Sequence, residues 1–92
     1  MIQSFRCRNI QSLFKGECPQ YFRTIRTIAE RKLTQLDAAQ TIEFLRSPPG
    51  NRLEKLFGNR AGQWSIRINA QWRICFIWTE FGPVNIEIVD YH

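Results

Sequence analysis

Asp90, Tyr91 and His92 stand in a row at the end of the sequence, and His92 is the only histidine among 92 residues. Imidazole has an unperturbed pKa of roughly 6.5, so it works as both acid and base near neutral pH. The three groups follow Val84-Asn85-Ile86-Glu87-Ile88-Val89, which alternates like a β-strand. A strand end holds proton-transfer groups in place where a frayed tail does not. The neighbouring strands carry Arg67 and Arg73, and Arg60 lies in a Gly58-Asn59-Arg60-Ala61-Gly62 loop whose glycines allow close backbone approach to a ligand. Cations beside proton-transfer groups are what cleavage of an RNA phosphodiester requires. A base takes the 2′-hydroxyl proton, cations stabilise the charge on the crowded phosphorus, and an acid protonates the leaving 5′-oxygen. That route needs no metal or cofactor, and one histidine with scattered carboxylates offers no ligand cluster.

The elements that position these residues follow from periodicity. Met1–Arg6 alternates apolar and polar residues and reads as a first strand. Asn9 is a cap for a short helical piece over 11–15, stopped by Gly16. From Pro19, residues 20–36 carry a helical stripe of Tyr21/Phe22, Ile25, Ile28/Ala29, Leu33 and Leu36, with Arg23, Arg26, Glu30, Arg31 and Lys32 largely off it. Asp37 caps a second helix over 38–45, and Ser47-Pro48-Pro49-Gly50-Asn51 ends the helical half. The period then drops to two, giving an antiparallel meander with turns at 69–71 and 80–83. One face, Trp64, Ile66, Ile68, Trp72, Ile74, Phe76, Val84, Ile86 and Ile88, is predicted to cover the helices. The other, with Ser65, Arg67, Arg73, Glu87 and Tyr91, is predicted to be exposed, while Asp90 has core-face parity.

Composition narrows the function. The length fits a single domain over 1–92, and 43% hydrophobic residues fit a globular chain. No apolar run reaches the ~20 residues of a membrane span, so no membrane partner is expected. Cys7, Cys18 and Cys75 are an odd number without paired spacing, which points to a reduced, cytoplasmic setting, with Cys75 a small hydrophobe in its strand. The net charge is +5, and ten of the thirteen basic residues are arginine, whose planar fork suits phosphate and stacks on bases. Taken singly, an arginine on a half-exposed strand is a solvated residue, and Glu87 is a cross-strand partner for Arg73. Convergence on one face points to RNA chemistry; the alternative is a non-catalytic RNA- or protein-binding module using the same basic face.

The residues also carry a resemblance. The stretch Gly58-Asn59-Arg60-Ala61-Gly62-Gln63-Trp64-Ser65-Ile66-Arg67, the strand Gln71-Trp72-Arg73-Ile74-Cys75-Phe76 and the ending Glu87-Ile88-Val89-Asp90-Tyr91-His92 resemble HigB toxins of the RelE-like superfamily. Plasmid-killer and GraT-type toxins are among the nearest relatives, and the resemblance spans essentially the whole chain. It implies an α+β fold, with an N-terminal strand and a helical hairpin on one face of a small, mainly antiparallel sheet. It further implies a ribosome-dependent mRNA endonuclease that cuts the A-site codon and stops translation, using the 2′-hydroxyl as nucleophile. Carried over residue by residue, Arg73 is the phosphate-stabilising cation, and Asp90, Tyr91 and His92 are the terminal catalytic group. His92 is the acid or base, and Tyr91 positions mRNA or shares the transfer. Arg60, Arg67 and Lys55 are RNA-holding cations. Some relatives have a histidine and a lysine where this chain has Glu54 and Phe57. Glu54 is thus either a substitute base or a surface residue paired with Lys55 or Arg52. The implied partner is a HigA-like helix-turn-helix antitoxin, with Arg23, Arg26 and Arg31 as a candidate contact.

Overall fold

The computed structural model describes residues 1–6, 8–17 and 20–90, with Gln20 and Tyr21 described by backbone alone. Cys7, Cys18, Pro19, Tyr91 and His92 lie outside the described residues, as does the Tyr21 side chain.

Helix α1 spans Arg8–Phe14, so Asn9 falls inside it and not at its cap. Gly16, at φ 95°, ends it by donating to the Leu13 carbonyl at 3.1 Å. The period-3.6 stripe becomes two pieces: a 3-10 turn over Gln20–Ile25, then helix α2 over Arg26–Ala38. Phe22, Ile25, Ala29, Leu33 and Leu36 are buried as the stripe predicts, and Arg26 pairs with Glu30 at 3.2 Å. Asp37 caps nothing. Burial of Leu33 and Leu36 carries α2 through it, and its carboxylate accepts from the Ile2 amide at 2.9 Å. In place of the second helix, a 3-10 turn over Ile42–Arg46 is capped by Thr41 and buries Leu45.

Four antiparallel strands follow in the order β1 (Glu54–Lys55), β2 (Trp64–Arg67), β3 (Trp72–Thr79) and β4 (Gly82–Asp90). The Asn69 side chain makes the β2–β3 turn by accepting from the Gln71 and Trp72 amides, both at 2.8 Å. Residues 1–6 run parallel beside β4 and do not form a full strand, with one bridge between Phe5 and Ile86. Gln3 and Arg6 donate to the Pro83 and Ile86 carbonyls, each at 2.9 Å. Where Met1 passes β4 only glycine fits: a Cβ on Gly82 would lie 2.2 Å from the Met1 carbonyl oxygen.

The ladder stops short because β4 is bulged beside this edge. Cys75 pairs with Glu87 but Ile77 with Val84, and Asn85 takes up the extra residue at φ 54°. The slip turns Val84 to the side of Cys75 and Ile77, away from its predicted place in the core. Ile66, Ile68, Trp72, Ile74, Phe76, Ile86 and Ile88 do form the core with both helices, and Trp64 packs against it half-buried. The α+β arrangement of helices on one face of an antiparallel sheet is thus the one observed.

A polar residue knots helix α2 to the turns that follow it. Asn51, fully buried, donates to the Leu45 carbonyl at 3.0 Å, to the Ser47 carbonyl at 3.2 Å and to Gln35 at 3.1 Å, and accepts from Lys32. Burial, and then the charge of Arg31, pulls the Lys32 pKa below its usual value. Replacing Asn51 with alanine strands these partners. Chemical denaturation of Asn51→Ala should show a loss of about 3 kcal/mol; a loss below about 1 kcal/mol would contradict this role.

Candidate active site on the sheet face

The face turned away from the helices carries a row of aligned residues. Glu54 on β1 faces Ser65 on β2, Ser65 faces Cys75 on β3, and Cys75 faces Glu87 on β4. One step along, Arg67 and Arg73 lie directly opposite each other. Like charges in that relation destabilise a sheet, so the pairing is a cost that the fold has to offset.

Arg73 is offset by burial among acceptors. Its Nε donates to Ser65 Oγ at 2.8 Å, and one terminal nitrogen donates to the Arg52 carbonyl at 2.6 Å. Arg52 presents that carbonyl from a left-handed conformation, φ 45°, just after the turn over Pro49–Asn51. The Glu54 carboxylate lies 3.8 Å from the same guanidinium, but Glu54 is 56% exposed, so the ion pair itself stabilises little. The hydrogen bonds, at about 1.5–3 kcal/mol each for a charged donor, dominate.

This corrects the expected openness of the face. Ser65 and Cys75 are fully buried, and Arg73 is only 8% exposed. Over Cys75 lies a strap: Arg60, in the turn over Gly58–Arg60, reaches across the sheet to Glu87 on β4, 3.2 Å away. Arg6 approaches the same Glu87 oxygen at 3.7 Å. Glu87 therefore pairs with Arg60 and Arg6, and not with Arg73 as cross-strand alternation suggested.

Of the other predicted site residues, Arg67 is half-buried and Lys55 is exposed, its ammonium 6.0 Å from the centre of the Trp64 ring. Asp90 pairs in register with Trp72, on the opposite parity from Arg73, and accepts from Gln71 at 3.1 Å. Glu54 pairs with Arg73, and not with Lys55 or Arg52. Tyr91 and His92 lie outside the described residues. Sequence reading missed the anchors of Arg73. Ser65 is legible from register once the β2–β3 turn is placed, whereas the Arg52 carbonyl leaves no side-chain signal. Among the described residues, no group of three histidine, cysteine or acidic side chains is placed to hold a metal ion. No helix among them is long and apolar enough to cross a membrane.

An arginine fixed among acceptors, opposite a second arginine and beside a carboxylate, is arranged to meet an anion. Residues 5–92 match the model of the HigB-like toxins, RelE-like toxins of the type II toxin–antitoxin system HigB. The chain belongs to this family. Over 55 residues it is 56% identical to Toxin HigB-1 of Vibrio cholerae, which covers 60% of this chain and 58% of that protein. Over 65 residues it is 38% identical to an uncharacterized protein of Haemophilus influenzae, covering 71% of this chain and 63% of that one. The chain thus matches about three fifths of the length of these relatives. A chain of the YoeB-YefM complex from Staphylococcus aureus shares the fold at a TM-score of 0.62 and 19% identity, over 100% of this chain and 98% of that one.

Cys75 is a thiol within this HigB-like centre, and its environment argues against thiolate chemistry. Burial pushes the thiol pKa up; Arg60 and Arg73 oppose this only in part, and Glu87 adds to it. The unfolded chain therefore gives up this proton at lower pH than the folded one. The stability it contributes is full below about pH 8.5 and falls as pH rises beyond. In a Cys7→Ser, Cys18→Ser variant, a disulfide reagent should label native Cys75 on the order of a hundredfold more slowly than the denatured chain. Equal rates would contradict its burial.

Proposed function

We propose that the chain is a ribosome-dependent mRNA endonuclease that cuts the codon in the ribosomal A site. We read residues 1–92 as a single toxin domain acting in the cytoplasm, where translation occurs. The observation that carries this reading is the Arg67–Arg73 pair, two like charges held face to face, with Arg73 fixed between Ser65 Oγ and the Arg52 carbonyl. Local rules are broken in this way where function requires it. Family membership supports it.

In this mechanism a base removes the 2′-hydroxyl proton and the oxygen attacks the adjacent phosphorus. The 5′-oxygen leaves as it is protonated, giving a 2′,3′-cyclic phosphate and a 5′-hydroxyl. No metal or cofactor enters these steps. Arg73 stabilises the charge that develops on the non-bridging oxygens, and its anchoring by Ser65 and Arg52 means that little reorganisation is needed. We assign His92 as acid or base and Tyr91 to mRNA positioning or shared proton transfer. Asp90, bound to Gln71 on the opposite parity from Arg73, belongs to this terminal group by holding the strand end that carries them. Glu54, an exposed carboxylate 3.8 Å from Arg73, is the second proton-transfer candidate. Arg60, Arg67 and Lys55 hold the RNA. The partner we assign is a HigA-like helix-turn-helix antitoxin, in line with the toxin–antitoxin system that defines the family. Its contact would be the exposed cations Arg23, Arg26 and Arg31 on the helical side, away from the sheet face.

Primer extension on mRNA from cells briefly expressing the chain should show in-frame cuts. Arg73→Ala and His92→Gln should each reduce them by roughly 10²–10³-fold. Cuts undiminished in both variants would remove the mechanism, and salt-sensitive RNA affinity without any product would favour a binding module. Reversing Arg23 and Arg31 to glutamate should weaken antitoxin binding at least about tenfold while sparing cleavage; unchanged affinity would remove that contact.

A further inference from the structure

Glu87 gathers two guanidinium groups from opposite edges of the sheet. Arg60 arrives from the turn ahead of β2, its terminal nitrogen shared between Gln63 at 3.2 Å and Glu87 at 3.2 Å. Arg6 comes from the N-terminal segment, and its backbone is pinned to β4 by the 2.9 Å hydrogen bond to the Ile86 carbonyl. Stability does not account for Arg6: its side chain is 62% exposed, and a pair at 3.7 Å with that exposure contributes little. Two cations on one carboxylate leave a surplus positive charge. Their position matters as well. Glu87 is aligned with Cys75, two residues from Arg73 along β3, a displacement of about 6.8 Å at ~3.4 Å per residue. That is close to one nucleotide step along an extended RNA strand.

We propose that Arg6 and Arg60, held side by side on Glu87, form a second phosphodiester-binding subsite one nucleotide from the phosphate at Arg73. The inference rests on the nuclease reading and adds to it a substrate contact, Arg6, from the N-terminal segment. The planar forks of Arg6 and Arg60 clasp the non-bridging oxygens of that neighbouring phosphate, and Glu87 keeps the pair together. The site therefore tracks the RNA backbone across the face, and sequence is not read there.

The test compares Arg6→Gln with Arg8→Gln, an exposed arginine on α1 that carries the same charge loss. The full chain is titrated with a labelled single-stranded oligoribonucleotide carrying 2′-O-methyl groups, and cleavage of ribosome-bound mRNA is followed in parallel. Arg6→Gln should weaken binding about tenfold and lower the slope of log affinity against log salt by about 0.7, one phosphate contact on a single strand. It should also raise KM far more than it lowers kcat, while Arg8→Gln leaves the slope and KM near wild type. Equal effects of the two substitutions, or none, overturn the subsite while the nuclease reading stands. A wild-type chain that neither binds the oligonucleotide nor cuts mRNA overturns both.

Discussion

A guanidinium buried in a sheet needs acceptors, and the search for them organises this molecule. Arg73 finds Ser65 Oγ on the adjacent strand and the Arg52 carbonyl on the segment leading into β1. Each demand reaches further into the chain. Ser65 lies beside Arg73 only because the Asn69 turn sets the β2–β3 register. The Arg52 carbonyl is available because the chain turns left-handed there, immediately after buried Asn51. The arginine, the turn and the Asn51 knot thus form one connected constraint between the helical half and the sheet.

The rest of the face is closed by the same logic of charge. Arg60 crosses to Glu87, and Cys75 lies beneath that strap as a neutral thiol. Among the described residues, the positive groups on this face, Arg6, Arg60, Arg67 and Arg73, outnumber the carboxylates of Glu54 and Glu87, which favours a polyanion even with the ion pairs formed. Preorganisation is the functional consequence. A cation whose orientation is fixed by Ser65 Oγ and the Arg52 carbonyl meets developing negative charge with little reorganisation.

Much of this was legible in sequence where one force dominates. The alternation of Ile66, Ile68, Ile74 and Phe76 and the stripe through Ala29, Leu33 and Leu36 named the core because burial enforces period. Terminal chemistry and the Trp72-Arg73 strand point to the family from sequence alone. What periodicity could not carry is the bulge at Asn85, which turns Val84 out of the core face, since one extra residue leaves no mark on local composition. Nor could it show that the polar face is covered, because the strap depends on Arg60 and Glu87 meeting over 27 residues of separation. Asp37 misled for a related reason: it looks like a cap, but tertiary burial extended the helix past it and gave its carboxylate to Ile2.

The bond that breaks and the oxygen that attacks define the proposed mechanism. The most direct measurement is mass spectrometry of the fragment ends produced when purified protein acts on ribosome-bound mRNA. Attack by the 2′-hydroxyl beside Arg73 predicts an upstream fragment ending in a 2′,3′-cyclic phosphate and a downstream fragment beginning with a 5′-hydroxyl. Fragments with a 3′-hydroxyl and a 5′-phosphate, or intact mRNA, would contradict it.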